Sequence, residues 1–234
     1  MLAAAAAQRL ALVGATVYLS PTAEPVRDAT VIVEDGRIAA VGPRAGVAVP
    51  ASAERLDCAG LTVAAGFWNS HVHFFERKWA DAGAIPAAEL ERQLQQMTTR
   101  HGFTSVFDLA SPWANTRRLR DRIESGEVAG PRIYSTGEAL LAPGAVPSER
   151  ILGLLGFMAF PSPEIAEAAQ AAPAARRLLE GGVDGIKVHL QPPPPPQAGF
   201  PKDALASVVE EAHRAAKPVF VHPANGADVL AALR

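Results

Sequence analysis

Residues 66–76, GFWNSHVHFFE, lie where the sequence changes character, and this change decides the fold. Before them the chain consists of short β-type segments joined by tight turns. After them apolar strand-like segments alternate with helical ones. The same stretch carries His71 and His73. Residues i and i+2 of a strand lie on one face, so both imidazoles are expected on the same side. Taken alone, the pair is either two ligands of one metal ion or two polar residues where a strand ends.

Downstream of residue 66 the alternation of strand and helix repeats five times. The predicted strands cover residues 67–74, 104–110, 131–137, 184–190 and 217–223, and the predicted helices cover 87–102, 114–127, 163–182, 202–216 and 226–234. We expect Gly102 to end the first helix and Pro173 to interrupt the third. Alternation of this kind predicts an α/β fold in which helical crossovers connect parallel strands.

Upstream of residue 66 the pattern is that of a small antiparallel β unit. Residues 31–42, VIVEDGRIAAVG, place Asp35 and Gly36 between two apolar runs, which is a strong hairpin signal. We therefore expect a small β-rich composite domain, similar to a β-sandwich, over residues 1–65 and an α/β domain over residues 66–234. Residues 1–8 are expected to be disordered or the remainder of a signal peptide.

Composition excludes several classes of protein. The 234 residues are 49% hydrophobic and 20% charged, as in a globular protein with a sizeable core. A net charge of -2 argues against a nucleic-acid partner. No segment reads as a membrane span, and a single cysteine, Cys58, excludes an internal disulfide. The compartment stays open: cytoplasmic, or exported if residues 1–7 are the tail of a signal peptide.

Two long loops follow the third and fourth predicted strands, at residues 138–162 and 191–201. Both leave the carboxyl ends of strands, where α/β proteins build their sites. Five consecutive prolines, Pro192 to Pro196, predict a stiff polyproline conformation. This run is either a rigid loop or a docking segment for a proline-binding partner.

Basic residues recur at the later strand ends. Lys187 is flanked by Ile186 and Val188, so it occupies a strand core where lysine is rare. A buried lysine must be neutralised, paired or chemically modified. His189 lies two residues further on the same face, and His222 ends the fifth strand. If the strands curve into a barrel, these residues converge with His71 and His73.

With these residues assembled, the sequence resembles the metal-dependent amidohydrolase superfamily, close to its imidazolonepropionase-like and prolidase-like branches. The resemblance rests on VIVEDGRIAAVG at 31–42, GFWNSHVHF at 66–74, GIKVHL at 185–190 and EEAHRAAKPVFVHPANG at 210–226. It implies a TIM-type (β/α)8 barrel preceded by the small β domain, with about five βα units present in this chain.

The resemblance also implies a set of site residues. His71 and His73 would bind the more buried metal ion, His222 would bind a second one, and Lys187 would be carboxylated and bridge the two. The metal is expected to be zinc. A variant of this reading has one ion held by His71, His73 and His222, with Lys187 structural. His189 either contacts the substrate or packs in the core.

The chain departs from the family pattern after its fifth strand. The family places a metal-binding histidine at the end of strand six and an aspartate that acts as the general base at the end of strand eight. Neither strand is present before Arg234, so we interpret the chain as an amino-terminal portion. Asp108, which ends the second strand, lies where the family has no catalytic aspartate and is expected to anchor a loop or line the substrate pocket.

The sequence therefore predicts a metal-dependent hydrolase of amide or cyclic amide C–N bonds, acting on a small molecule through a metal-activated hydroxide. The alternative is a non-catalytic fragment or pseudoenzyme that binds metal weakly or serves as an interaction module through its proline loop. The oligomeric state, including a homo-oligomer, stays open.

Overall fold

The computed structural model of the chain describes residues 9–146, 148–192 and 199–233. The expectations for residues 1–8 and for prolines 193–196 lie outside the described residues. The chain divides into two compact units, with the boundary between Gly66 and Phe67.

The first unit is built around one five-stranded sheet. Its strands are β1 (Arg9–Val17), β2 (Val26–Glu34), β3 (Arg37–Pro43), β4 (Glu54–Asp57) and β5 (Thr62–Val63). The order is β3-β2-β1-β4, and β5 also pairs with β1. The predicted turn between β2 and β3 is confirmed, because Asp35 and Gly36 both have positive φ angles of 49° and 75°.

The expectation of an antiparallel unit is wrong in part, because the sheet is mixed. Strands β1, β2 and β3 pair antiparallel, whereas β4 and β5 run parallel to β1. The reason is that residues 44–53 return the chain to the end of the sheet where β1 begins, so Glu54 pairs with Leu10. Cys58 is a free thiol buried in the small apolar core of this unit.

The described residues of the second unit form five parallel strands. They are β6 (Phe67–Val72), β7 (Phe103–Asp108), β8 (Arg132–Ser135), β9 (Ile186–His189) and β10 (Val219–His222). β7 pairs with β6 and β8, and β9 pairs with β10. A hydrogen bond from Asp184 N to Ser135 O and a parallel bridge between Leu140 and Val188 connect β8 and its following segment to β9. Spatial neighbours thus follow chain order, and the predicted parallel α/β arrangement is confirmed.

Helices occupy most of the connections between these strands. They are α1 (Ala87–Met97), α2 (Trp113–Glu124), α3 (Glu149–Leu154), α4 (Ala171–Glu180), α5 (Lys202–Arg214) and α6 (Gly226–Ala232). Short 3-10 turns cover Arg77–Trp79, Thr99–His101 and Ala168–Gln170. The helix predicted over 87–102 ends at Met97, and Gly102 ends the 3-10 turn that follows it, with a φ of 81° that favours glycine.

Two helix predictions need correction. The helix expected over residues 163–182 begins only at Ala171, and Pro173 lies in its first turn rather than in a kinked interior. This placement is favourable because a first-turn N–H has no partner within the helix. The loop expected over 138–162 contains α3 and pairs Leu141 with Glu164 in a β-bridge.

Packing against the helices decides which face of each strand carries the site. Ile186 and Val188 of β9 are fully buried in the larger apolar cluster, together with residues of α4 and α5. Phe74, just beyond β6, is fully buried in a second cluster that includes Leu90 and Leu94 of α1. The residues that alternate with these apolar ones therefore lie on the opposite face of the strands. No helix of the described residues is long and apolar enough to cross a bilayer.

Candidate metal centre

His71 and His73 come together at the carboxyl end of β6. Val72 and Phe74, which alternate with them, are buried, so both imidazoles lie on the other face of the strand. Their Nε2 atoms are 3.2 Å apart. The backbone N–H of His71 donates to the side-chain oxygen of Asn69 at 3.1 Å, which helps to fix the end of the strand.

Lys187 lies in the centre of β9 and is only 3% exposed. It pairs in register with Phe220 of β10. Burial lowers the pKa of its amine below the usual value of 10.5. Within the described residues no salt bridge to Lys187 compensates for the loss of hydration. A buried amine of this kind is poised to be neutral or to react.

His189 and His222 form a second histidine pair. They are register partners on β9 and β10, and their rings stack at 4.6 Å with an interplanar angle of 9°. His189 is 8% exposed, and its Nδ1 atom is buried without a hydrogen-bond partner in the described part of the chain. A buried polar atom without a partner is unusual and calls for a ligand, an ion or water.

The five residues His71, His73, Lys187, His189 and His222, here called the basic cluster, interact electrostatically. Burial is the largest cause of the lowered pKa of each histidine, and the charge of Lys187 lowers all four further. The pKa of His73 falls to about 4 and that of His189 to about 3. The histidines are therefore neutral at pH 7, which is the form that donates a nitrogen lone pair to a metal.

The distance between the first two imidazoles fits a shared cation. Two nitrogens each about 2.0 Å from a tetrahedral ion are about 3.3 Å apart, and the observed separation of the Nε2 atoms is 3.2 Å. Two neutral imidazoles at this distance can also share one N–H···N hydrogen bond. Across residues 9–146, 148–192 and 199–233, no group of three or more His, Cys, Asp or Glu side chains is arranged to hold a metal ion. The predicted residues thus form two pairs around Lys187 rather than one complete ligand set.

Asp108 lies beside this centre but is not part of the basic cluster. It is fully buried at the end of β7 and accepts hydrogen bonds from the hydroxyls of Ser111 (2.5 Å), Ser135 (2.8 Å) and Thr116 (3.3 Å). Of the two expected roles, these bonds match the anchoring of a loop. Burial raises the pKa of Asp108 to about 6, against the opposing effect of the bonds from Ser111 and Ser135.

Sequence reasoning missed the role of Ser111. This residue is fully buried, and its hydroxyl also accepts the backbone N–H of Phe74 at 2.8 Å. The signal available in the sequence was the spacing Asp108-x-x-Ser111 directly after an apolar strand, which is typical of a hydrogen-bonded turn.

Comparison with known proteins relates this geometry to a family. Residues 62–233 match the sequence model of the Amidohydrolase family. Ochratoxinase of Aspergillus niger is 26% identical over 257 residues, which cover 97% of this chain and 52% of that protein. Imidazolonepropionase of Mycolicibacterium smegmatis is 47% identical over 66 residues, covering 26% of this chain and 16% of that protein.

Solved structures share the fold. The crystal structure of a putative prolidase from Bifidobacterium longum matches with a TM-score of 0.76 at 24% identity, over 97% of this chain and 52% of the prolidase chain. The chain thus spans about half the length of the ochratoxinase and of this prolidase. The family is generally metal-dependent. The family match covers most of the sequence, from just before β6 to the end of α6, and the resemblance expected from the motifs is confirmed. The chain belongs to the amidohydrolase family.

Proposed function

We propose that this chain carries the metal-binding half of an active site that hydrolyses C–N bonds, of the amide or cyclic amide kind, in a small-molecule substrate. The observation that carries the proposal is the 3.2 Å separation of the His71 and His73 Nε2 atoms at a strand end, in a member of the amidohydrolase family. Ochratoxinase and the putative prolidase among the similar proteins are consistent with C–N hydrolysis.

In this proposal His71 and His73 would hold one divalent ion. The ion is proposed to be zinc, because neutral imidazole is a good zinc ligand. His222 would hold a second ion, and Lys187, once carboxylated, would be a ligand shared by both. The single-ion arrangement, with His71, His73 and His222 as ligands, is the variant. A bound divalent ion lowers the pKa of water and polarises a carbonyl group, which is the chemistry that amide hydrolysis needs.

The environment of Lys187 supports carboxylation. Only a neutral amine attacks carbon dioxide, and burial lowers the pKa of this amine and so raises its neutral fraction. The nitrogen forms a bond to the carbon of carbon dioxide and releases one proton, which gives an anionic carbamate. This change replaces a buried cation by an anionic group with oxygen ligands. The positive charge of Lys187, which lowers the pKa of the four histidines, thereby becomes a negative one.

His189 is proposed to contact the substrate. Its Nδ1 atom is buried without a partner in the described residues, and its ring stacks on that of His222. A neutral imidazole in this position offers one donor and one acceptor to a polar group of the substrate.

The proposed architecture places these residues in a partial TIM-type barrel. In the described residues the five parallel strands follow one another in chain order, and a helix follows each of them. A TIM-type barrel is built from repeats of this strand-helix unit. The small composite domain, similar to a β-sandwich, would cover residues 1–65 and the barrel portion residues 66–234.

A specific observation keeps a non-catalytic role as the second candidate. In the part of the chain that the structure describes, no carboxylate is among the groups that shift the pKa values of the basic cluster. Hydrolysis through a metal-bound water also requires a base that accepts its proton. A chain that binds metal without hydrolysis, or acts as an interaction module through the proline run at 192–196, would fit this observation.

Hydrolysis assays distinguish the two candidates. The purified chain is incubated with Zn²⁺ and bicarbonate and assayed against acylated amino acids, Xaa-Pro dipeptides and cyclic amides. The proposal expects release of product that a chelator abolishes and that His71→Ala reduces by at least about 100-fold. His213→Ala, a change at an exposed histidine of α5, is the matched control and should leave the rate unchanged. Metal binding without turnover on any of these substrates would favour the non-catalytic role.

A further inference from the structure

A hydrogen-bond relay connects Asp108 to the strand end that carries the histidine pair. The carboxylate of Asp108 accepts from Ser111 Oγ at 2.5 Å, and Ser111 Oγ accepts from the backbone N–H of Phe74 at 2.8 Å. Phe74 directly follows His73. The relay therefore ends one residue from the proposed metal ligands, although no member of it belongs to the basic cluster.

The chemistry of the relay gives it a direction. An ionised carboxylate only accepts hydrogen bonds, so the hydroxyl of Ser111 must donate its one proton to Asp108. Its lone pairs are then turned towards the N–H of Phe74. A hydroxyl free to rotate would accept from this N–H only part of the time. The bond to the buried carboxylate holds the Ser111 hydroxyl in the one orientation in which it can accept.

A second branch of the same network offers an internal comparison. Ser135 Oγ donates to the other oxygen of Asp108 at 2.8 Å and accepts the backbone N–H of Gly137 at 3.0 Å. Both branches use a fully buried serine and the same carboxylate. They differ in what they hold, since one branch ends beside the histidine pair and the other ends in the segment after β8.

The loop between Asp108 and Ser111 also bonds to the strand end that carries the histidine pair. Ala110 has a φ of 97°, an unfavourable conformation for a residue with a side chain, and its N–H donates to Thr136 Oγ1 at 3.1 Å. The N–H of Leu109 in the same loop donates to the carbonyl oxygen of Val72 at 3.0 Å, and Val72 lies between His71 and His73 in the sequence. Strained backbone next to a candidate site persists only where surrounding bonds hold it.

We propose that Ser111 is a positioning residue for the metal centre: oriented by Asp108, its hydroxyl holds the N–H of Phe74 and thereby fixes the strand end that carries His71 and His73. The expected effect of Ser111 on metal binding rests on the proposed function. The hydrogen bonds of the relay do not depend on it. Groups that orient metal ligands typically change metal affinity 10- to 100-fold when removed.

The test compares Ser111→Ala with Ser135→Ala in the full chain. Amide hydrogen exchange is measured first, without metal. Ser111→Ala should accelerate exchange of the Phe74 amide by about five-fold or more and leave Gly137 unchanged, whereas Ser135→Ala should do the reverse. Asp108→Ala should accelerate both. Equal effects of the two serine variants on Phe74, or no effect of Ser111→Ala, would overturn the relay.

Metal affinity is measured second, by titration with Co²⁺ followed in the visible absorption spectrum. Ser111→Ala should weaken Co²⁺ binding by about 10-fold or more and alter the spectrum, while Ser135→Ala stays within about two-fold of the unmodified chain. Comparable losses in both variants would reduce Ser111 to a merely structural role and overturn the proposal.

Failure of the proposed function gives a different result. If the unmodified chain binds no Co²⁺, the metal centre is refuted, and the ring ¹⁵N resonances of His71 and His73 then decide the inference. A change in these resonances in Ser111→Ala but not in Ser135→Ala supports positioning of the histidine pair. Unchanged resonances in Ser111→Ala overturn it.

Discussion

The Lys187 amine is buried in the centre of a strand. Burial of this amine lowers the stability of the fold but favours the neutral form that the proposed chemistry needs. Lys187 is 3% exposed, and burial lowers its pKa. Replacement by methionine keeps the length of the side chain and removes the charge. We expect Lys187→Met to raise the free energy of unfolding of the metal-free chain at pH 7 by about 1 kcal/mol, because the change removes a buried amine that has no ion-pair partner among the described residues. Urea denaturation in the presence of a chelator measures it.

The matched control is Lys78→Met, because the Lys78 side chain is 41% exposed and pairs with Glu76 on the surface. Its effect should stay within about 0.5 kcal/mol. A Lys187→Met variant that is less stable than the unmodified chain would contradict the account of an uncompensated buried amine.

Asp108 makes a pH-dependent contribution whose sign follows from its raised pKa. Burial raises this pKa from 3.8 to about 6. The folded state therefore holds the proton more tightly, and the associated stability is present below pH 3.8 and lost as pH rises through 6. Asp108→Asn removes this dependence. Between about pH 4.5 and 7.5, the stability of Asp108→Asn relative to the unmodified chain should increase by about 2 kcal/mol.

Denaturant unfolding of both proteins across this pH range measures the effect. Subtracting one curve from the other cancels the contributions of the histidines, which titrate in the same range. A difference that is flat, or that decreases with pH, would show that Asp108 is ionised in the fold at low pH.

At the scale of residues, the sequence predicted which side chains share the site better than it predicted their hydrogen-bond partners. The i, i+2 spacing indicated that His71 and His73 share a face, because strand geometry alone determines this. The hydrogen bond that the N–H of Phe74 donates to Ser111 joins residues 37 positions apart, and no local pattern predicts such a contact.

At the scale of elements, α1 shows how helices hold the site in place. Its buried residues Leu90 and Leu94 pack in the cluster that also contains Phe74. Leu94→Ala should destabilise the chain by about 2–5 kcal/mol, because it removes a fully buried side chain. Gln96→Ala, on the exposed side of the same helix, should change stability by less than about 0.5 kcal/mol.

Thermal or urea unfolding of both variants tests this packing. A loss below about 1 kcal/mol for Leu94→Ala would mean that α1 does not pack as described. The presence and start of α1 were predictable from its apolar periodicity, but the helix ends at Met97 and a 3-10 turn separates it from Gly102. The start of α4 was not, because the segment before Ala171 also carries helix-forming residues and only tertiary contacts, such as the bridge between Leu141 and Glu164, keep it extended.

At the scale of the whole molecule, the alternation of strands and helices predicted the parallel order of β6 to β10, since right-handed crossovers leave few other arrangements. The direction of β4 and β5 was not predictable, because short strands carry no signal of whether their partner runs parallel or antiparallel. The electrostatic contact of the two histidine pairs with Lys187 results from this chain order, which brings the ends of distant strands to one region.

Metal content is the direct test of the proposed metal centre. The purified chain is dialysed against Zn²⁺ with bicarbonate, its bound metal is quantified by atomic emission, and its intact mass is recorded. We expect one to two zinc ions per chain and loss of binding in His71→Ala but not in His213→Ala. For the two-ion form we also expect the mass of one added carbon dioxide, which disappears in Lys187→Met. A chain that binds no zinc, or a His71→Ala variant that binds as much as the unmodified protein, would contradict it.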